Sequence, residues 1–333
     1  MNILAIETSC DETAVAVVCD GKTVLSSLVS SQADTHSVFG GVVPEIASRL
    51  HCEYISSLTA NALTDAGVTI DDIDAVAVTY APGLVGALLV GINFAKGVSM
   101  AINKPIIPVH HIKSHIAANY ILHDELEPPF LSLVVSGGHS HIIEVLGYTQ
   151  FRVIGRTRDD AAGEAFDKAA RAMGLGYPGG IEIEKAAKGG DSSAYKFTKP
   201  RLANGEYDYS FSGLKTALIN TIHNARQKGE SINTSDLAAS FQEVLCDILT
   251  EKFILAANRF GYKKIALAGG VSANSRLREI LEERCQPDGI KLYLPPLWLC
   301  GDNAAMVGVQ GYYEYLAGNT GDMSLNAYPS LAV

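Results

Sequence analysis

The sequence predicts a duplicated α/β fold, two lobes around a central cleft, on three observations. A three-strand phrase occurs twice, as NILAIETSCDETAVAVVCDGKTVLSSLV at 2–29 and PFLSLVVSGGHSHIIEVLGYTQFRVIGR at 129–156. Each copy is followed later by a strand, a glycine-bearing turn, a helix and a second strand: DAVAVTYAPGLVGALL with KPIIPV, and KKIALAGGVSANSRLRE with IKLYLP. Directly after that last strand stand metal-competent residues, HHIKSH in one copy and LCGDNAAM in the other. The spacing agrees, 36 positions from Ala75 to His111 and 38 from Lys264 to Asp302. A pseudo-twofold axis between the halves would bring His111 and His115 from one side and Asp302 from the other.

The elements follow in order. Three apolar, β-branched runs separated by short turns make each opening phrase a β-meander. Residues 31–72 are helical in pattern, with PEIASRLHCEYISSLTANALTDAG the clearest amphipathic stretch. They form an insertion in a first lobe spanning 1–120. An acidic stretch with two prolines before 130 reads as a hinge. The second lobe spans 121–333 and carries a longer insertion, 157–262, with DDAAGEAFDKAARAMGLGYPGG, a loop-like GGDSSAYKFTKPRLANGEYDYSFSGLK and a helix in SDLAASFQEVLCDILTEKFILAANRF. The last helix, NAAMVGVQGYYEYLAG, packs back on the first lobe.

Composition bounds the function. The 333 residues, 47% hydrophobic, can bury the cores of two domains. No uninterrupted apolar stretch reaches membrane length and no leader precedes the first strand, which reads as a cytoplasmic protein with no membrane partner. The six cysteines lack CxxC spacing and read as reduced. A net charge of −10 leaves any nucleic-acid footprint local, or supplied by a partner protein.

His111 and His115 are spaced i, i+4, which on a helix sets their Cβ atoms about 5–6 Å apart on one face. With Asp302 they make a set of two imidazoles and one carboxylate that leaves coordination positions open, suiting Fe(II) first and Zn(II) second. An HExxH protease is set aside because Ile112 stands where the general-base glutamate is needed. The turns SGGHS and AGGVSAN present backbone amides to a phosphate, and the chain has no GxxxxGK[ST] P-loop. Asp167, Glu182 and Glu184 are candidates for a ribose. Asp11 and Glu12, at the tip of the first meander turn, suit metal or proton work.

Together these residues resemble the TsaD family of tRNA threonylcarbamoyl-adenosine transferases, once described as O-sialoglycoprotein endopeptidases. The motifs ETSCDET, FGGVVPEIASRLH, PGLVGALLVG, HHIKSH, VVSGGHS, DDAAGEAFDKAARAMGLGYPGG, YSFSGLKTA, AGGVSAN and GDNAAM carry the likeness nearly end to end. The resemblance implies an actin-like, Hsp70-like two-lobed ATPase fold, a duplicated ribonuclease H-like architecture. It implies metal ligation by His111, His115 and Asp302. It also implies substrate binding by Val134, Val135, Ser136, Gly137, Gly138, Asp167, Gly180 and Asn274, with Glu184 a further ribose contact.

The implied reaction moves threonylcarbamoyl from threonylcarbamoyl-AMP to N6 of the adenosine beside the anticodon, in tRNAs reading codons that begin with A. ATP or AMP are further occupants of the nucleotide site. Asp11 or Glu12 is our proton acceptor from the attacking amine. The implied bacterial partners are a non-catalytic paralogue of the same fold, a P-loop ATPase, and a separate enzyme that makes the adenylate. The helix over 44–60, with Arg49, is the expected paralogue seam. Lys196, Lys199, Arg201, Arg156 and Arg158 are the expected tRNA contacts. The rivals are an actin-fold small-molecule kinase, which would use Mg²⁺ on carboxylates and need no paired histidines, and a non-enzymatic nucleotide-binding scaffold.

Overall fold

The computed structural model describes residues 1–333 except Arg201 and Ala203. The chain separates into two compact units. Unit 1 comprises Met1–Pro129, Val145–Phe151 and Pro295–Val333, and unit 2 comprises Phe130–Glu144 and Arg152–Leu294.

Unit 1 opens with strands β1 (Asn2–Glu7), β2 (Glu12–Cys19) and β3 (Thr23–Ser31), paired antiparallel as a meander. Helices α1 (Ala33–Ser37) and α2 (Pro44–Ala66) follow, then β4 (Ala75–Ala81), α3 (Val85–Ile102), β5 (Ile106–His110) and α4 (His111–Ala117). The sheet order is β3-β2-β1-β4-β5, with β4 parallel to both β1 and β5. β1 and β4 are covered on both faces, which explains why NILAIE and AVAVTYA are nearly unbroken apolar runs. Proline opens α2, and Gly67 in the left-handed region (φ 67°) ends it. α3 is long and apolar enough to span a membrane, although Lys96 interrupts it; here it packs on β4 and α2.

Unit 2 carries β6 (Phe130–Val135), β7 (Ser140–Val145) and β8 (Phe151–Arg156), then α5 (Ala162–Met173), α6 (Gly179–Ala187), α7 (Ser212–Lys228) and α8 (Thr234–Phe260). β9 (Lys264–Ala268), α9 (Ser275–Cys285) and β10 (Lys291–Tyr293) complete it. Its sheet order, β10-β9-β6-β7-β8, is that of the first sheet read from the other edge. The predicted duplication is therefore present strand for strand. The core gathers Phe166, Phe241, Leu245, Leu249 and Phe253 from α5 and α8.

The last helix, α10 (Ala304–Leu316), belongs to unit 1 and packs on β1, β2, β5 and α4. The units thus divide differently from 1–120 and 121–333. Two features explain the difference. On β1 and β4, Leu4, Ile6, Val76 and Val78 face one way into the clusters under α2 and α3. Ala5 and Ala77 face the other way, where α10 presents Gly308 and Gly311. A Cβ on Gly308 would stand 3.2 Å from Cβ of Ala5, and one on Gly311 would stand 2.7 Å from Cβ of Ala77, so only glycine allows this approach. The β7–β8 turn joins the same unit because Tyr148 stacks on Tyr313 (4.0 Å, 3°), while its carbonyl accepts from Gln310 Nε2 at 3.0 Å.

Candidate metal centre

α4 begins at the carboxyl end of β5, where His110 caps it by accepting the Ile112 N–H at 3.3 Å. His111 and His115, one turn apart, are both buried, with ring centroids 4.6 Å apart and planes crossing at 77°. Asp302 stands in the turn before α10. Asn303 fixes that turn: its Oδ1 accepts the Met306 N–H at 2.9 Å and its Nδ2 donates to the Gly301 carbonyl at 2.8 Å. Oδ1 of Asp302 lies 3.1 Å from Nε2 of His115 and 3.6 Å from Nε2 of His111. The three ligand atoms lie within 4.8 Å of one another.

The sequence named these three residues, but their origin needs correction. The expectation drew the histidines from one half and the aspartate from the other. All three lie within unit 1, because α10 carries Asp302 onto the sheet that bears α4.

The residues fit a metal. Both ring nitrogens of His115 are buried, and among the described residues neither makes a hydrogen bond. Leaving such atoms unmet is costly, and a cation at the Nε2 side would meet one of them. Two imidazoles and a carboxylate are also a donor set that keeps further positions open.

Sequence reasoning missed Glu7. This last residue of β1 is fully buried. Its Oε2 accepts from Thr79 Oγ1 at 2.6 Å and lies 3.1 Å from Nδ1 of His111, and its Oε1 accepts the Ser9 N–H at 2.5 Å. Ser9 Oγ is 3.2 Å from the same imidazole nitrogen. The available signal was a carboxylate at the end of an apolar strand, since buried acids need partners. Burial alone would lower the basicity of His111, but the Asp302 and Glu7 carboxylates outweigh it and raise the pKa to about 9.

Asp11 is buried at the β1–β2 turn, beside half-buried Glu12. Burial, then the charges of Asp302 and Asp11, push the Glu12 carboxyl well above the usual carboxylate range. A second missed group holds this turn. His51 is 3.0 Å through Nε2 from the Cys10 carbonyl and 2.7 Å through Nδ1 from Thr13 Oγ1. Gln32 and His36 extend that network.

The predicted substrate residues lie in unit 2. Val134 and Val135 are wholly buried in β6, so only their backbone can face a ligand. Gly137 and Gly138 are exposed in the turn that follows. The AGGVSAN turn lies beside them: a Cβ on Gly269 would stand 2.4 Å from the Val135 carbonyl, and Gly269 itself has φ +88°. Asn274 caps α9 by accepting the Leu277 N–H at 3.0 Å and donates to Gln242 Oε1 at 2.9 Å. Glu184 accepts from both the backbone N–H (3.1 Å) and the hydroxyl (2.6 Å) of Ser275. Asp167 accepts the Gly179 N–H at 2.7 Å, next to Gly180. These acids are helix-end partners as well as ligand candidates. Among the expected tRNA contacts, Arg158 pairs with Asp208 and Lys199 bridges Asp247 and Glu251. Arg156 and Lys196 are exposed, and Arg201 lies outside the described residues.

With this geometry established, comparison with known proteins is direct. The profile of the TsaD family, described as tRNA N6-adenosine threonylcarbamoyltransferase, matches residues 23–309. A protein of that name from Clostridium beijerinckii is 54% identical, over 99% of this chain and 97% of its own length. One from Clostridium perfringens is 55% identical with the same coverage. Among solved structures, HypF of T. kodakarensis superposes with a TM-score of 0.64 at 15% identity, over 96% of this chain and 48% of that one. Component A of Acidaminococcus fermentans (R)-2-hydroxyglutaryl-CoA dehydratase superposes at 0.53 and 16% identity, over 95% and 97%. At those identities the structures bear on fold alone: this chain shares their α/β architecture.

Proposed function

The chain belongs to the TsaD family of tRNA N6-adenosine threonylcarbamoyltransferases, and from that premise we infer how its residues divide the work. The reaction moves a threonylcarbamoyl group from threonylcarbamoyl-AMP to N6 of the adenosine beside the anticodon, in tRNAs reading codons that begin with A. The observation that carries the site reading is His115, buried with unmet ring nitrogens, facing Asp302 beside His111. These three residues would hold the metal, Fe(II) first and Zn(II) second, on the preference of imidazole–carboxylate sets for such ions. When bound, it would supply Lewis-acid polarisation of a carbonyl or phosphoryl oxygen.

The chain's own groups do the rest. The amine at N6 is a poor nucleophile because its lone pair is delocalised into the ring, so geometry matters. Backbone amides of Gly137 and Gly138 hold the AMP phosphate and orient the mixed anhydride, the Ser136 N–H being taken by the His139 carbonyl at 2.8 Å. Asp167, Gly180, Glu184 and Asn274 line the nucleoside, through groups that also anchor α6 and α9. Asp11 is the better acceptor for the amine proton. Burial, then the charges of Asp302 and Asp11, raise the Glu12 carboxyl, which weighs against it as the acceptor.

The chain acts in the cytoplasm, where its tRNA substrate is, together with a non-catalytic paralogue and a P-loop ATPase. The exposed face of α2, with Arg49 and Tyr54, suits a helix-to-helix seam with the paralogue. The decisive experiment reconstitutes transfer from preformed threonylcarbamoyl-AMP to unmodified tRNA, with and without chelator. Iron or zinc near one per chain and loss of transfer on chelation are expected. Full transfer by metal-free protein would overturn the Lewis-acid reading, and magnesium alone would favour a kinase.

A further inference from the structure

We propose that Glu7 is a positioning residue of the metal centre, whose buried carboxylate accepts the Nδ1–H of His111 and so turns the Nε2 lone pair of that ring towards Asp302. The inference rests on His111, His115 and Asp302 being the metal ligands, and it adds a residue outside that set.

The argument starts from the cost of Glu7. A carboxylate with no exposed surface, at the end of a strand that is otherwise apolar, is expensive unless donors surround it. Three do. Thr79 Oγ1 at 2.6 Å and the Ser9 N–H at 2.5 Å come from β4 and the β1–β2 turn. Both fix the carboxylate without help from α4. The third neighbour is Nδ1 of His111 at 3.1 Å.

An ionised carboxylate can only accept, so the shared hydrogen must sit on Nδ1. In a neutral imidazole the lone pair is then on Nε2, the atom 3.6 Å from Asp302. Such a carboxylate–histidine pair also makes the ring a stronger ligand. His115 has no equivalent: its Nδ1 is buried without a partner. The centre is therefore asymmetric, with His111 anchored from behind by a carboxylate and His115 lacking such an anchor on its Nδ1 side among the described residues.

The test uses the full chain and Zn(II). In Glu7→Gln, the Zn(II) dissociation constant from chelator competition should rise ~10–100-fold, with circular dichroism unchanged. Thr79→Val should shift it in the same direction by less. In Zn(II)-loaded wild type, ¹⁵N-histidine NMR should show the His111 proton on Nδ1, displaced downfield by its hydrogen bond; this holds even if the Glu7 variant fails to fold. His111→Ala is the control, and it should lose Zn(II). If His111→Ala loses the ion while Glu7→Gln stays within about two-fold of wild type, or if the proton resides on Nε2, the role of Glu7 is overturned and the ligand set stands. If His111→Ala also keeps the ion, the ligand set itself is wrong.

Discussion

Oδ1 of Asp302 stands 3.1 Å from Nε2 of His115, and the segment that delivers it is the one that lays α10 across the first sheet. That delivery depends on absent side chains. A Cβ at Gly308 would lie 2.5 Å from Cγ2 of Val18, and one at Gly311 would lie 2.7 Å from Cβ of Ala77. The metal centre is thus built on a seam of small residues well outside its own ligand set.

Gly308→Ala should therefore act twice. Overpacking this seam should cost about 1–3 kcal/mol of unfolding free energy, and the shift of α10 should weaken Zn(II) binding as Asp302 moves with it. Urea unfolding and chelator competition on the same samples check this. Lost stability with unchanged affinity would mean that Asn303 alone sets the position of Asp302.

Removing a ligand should be harsher on chemistry than on folding. His115→Ala or Asp302→Ala should lower bound metal, read by elemental analysis, and reduce transfer by about a hundredfold or more if the ion contributes several kcal/mol of charge stabilisation. His115→Ala also removes a buried Nδ1 that no described residue meets, which offsets part of the cavity it leaves, so its melting temperature in chelator should fall less than that of the buried apolar truncation Leu4→Ala.

The sequence disclosed the ligands and the duplication for a physical reason. Hydrophobic runs encode strands locally, and an i, i+4 histidine pair encodes one helix face. The side from which Asp302 arrives was hidden, because helix–sheet packing is decided by alanines and glycines that carry no periodic signal. Glu7 was hidden by distance, its partners Thr79 and His111 lying 72 and 104 positions away. Asn274 and Glu184 were legible as motif residues, but their capping of α9 appears only once Ser275 and Leu277 are in place.

That double duty makes Glu184 separable. Glu184→Ala removes two hydrogen bonds from the start of α9 and should cost about 1 kcal/mol. Glu184→Gln keeps an acceptor for Ser275, so stability should be retained while KM for threonylcarbamoyl-AMP rises. An unchanged KM in Glu184→Gln would confine the residue to capping.

For tRNA, the expected contacts divide by their ion pairs. Arg156, Arg158, Lys196 and Lys199 are all exposed, but Arg158 and Lys199 already pair with carboxylates. Lys196→Glu and Arg156→Glu should each weaken tRNA binding across sequences and reduce the slope of log affinity against log salt by about 1. Unaltered slopes would move the tRNA surface elsewhere.

His141, in β7, sets an acid limit on unit 2. Its Nδ1 is buried without a hydrogen-bond partner. Burial first, and the charge of Arg156 second, bring its pKa down from 6.5 to about 4. The folded form therefore keeps this ring neutral over a range in which the unfolded chain protonates it. No penalty exists above pH 6.5; it accumulates as pH falls towards 4, reaching on the order of 3 kcal/mol. Denaturant titrations should show wild type losing that much more stability than His141→Gln between pH 7 and pH 4, and the ring's own NMR titration should centre near 4. A midpoint near 6.5 would mean that water reaches the ring and that His141 contributes nothing to acid unfolding.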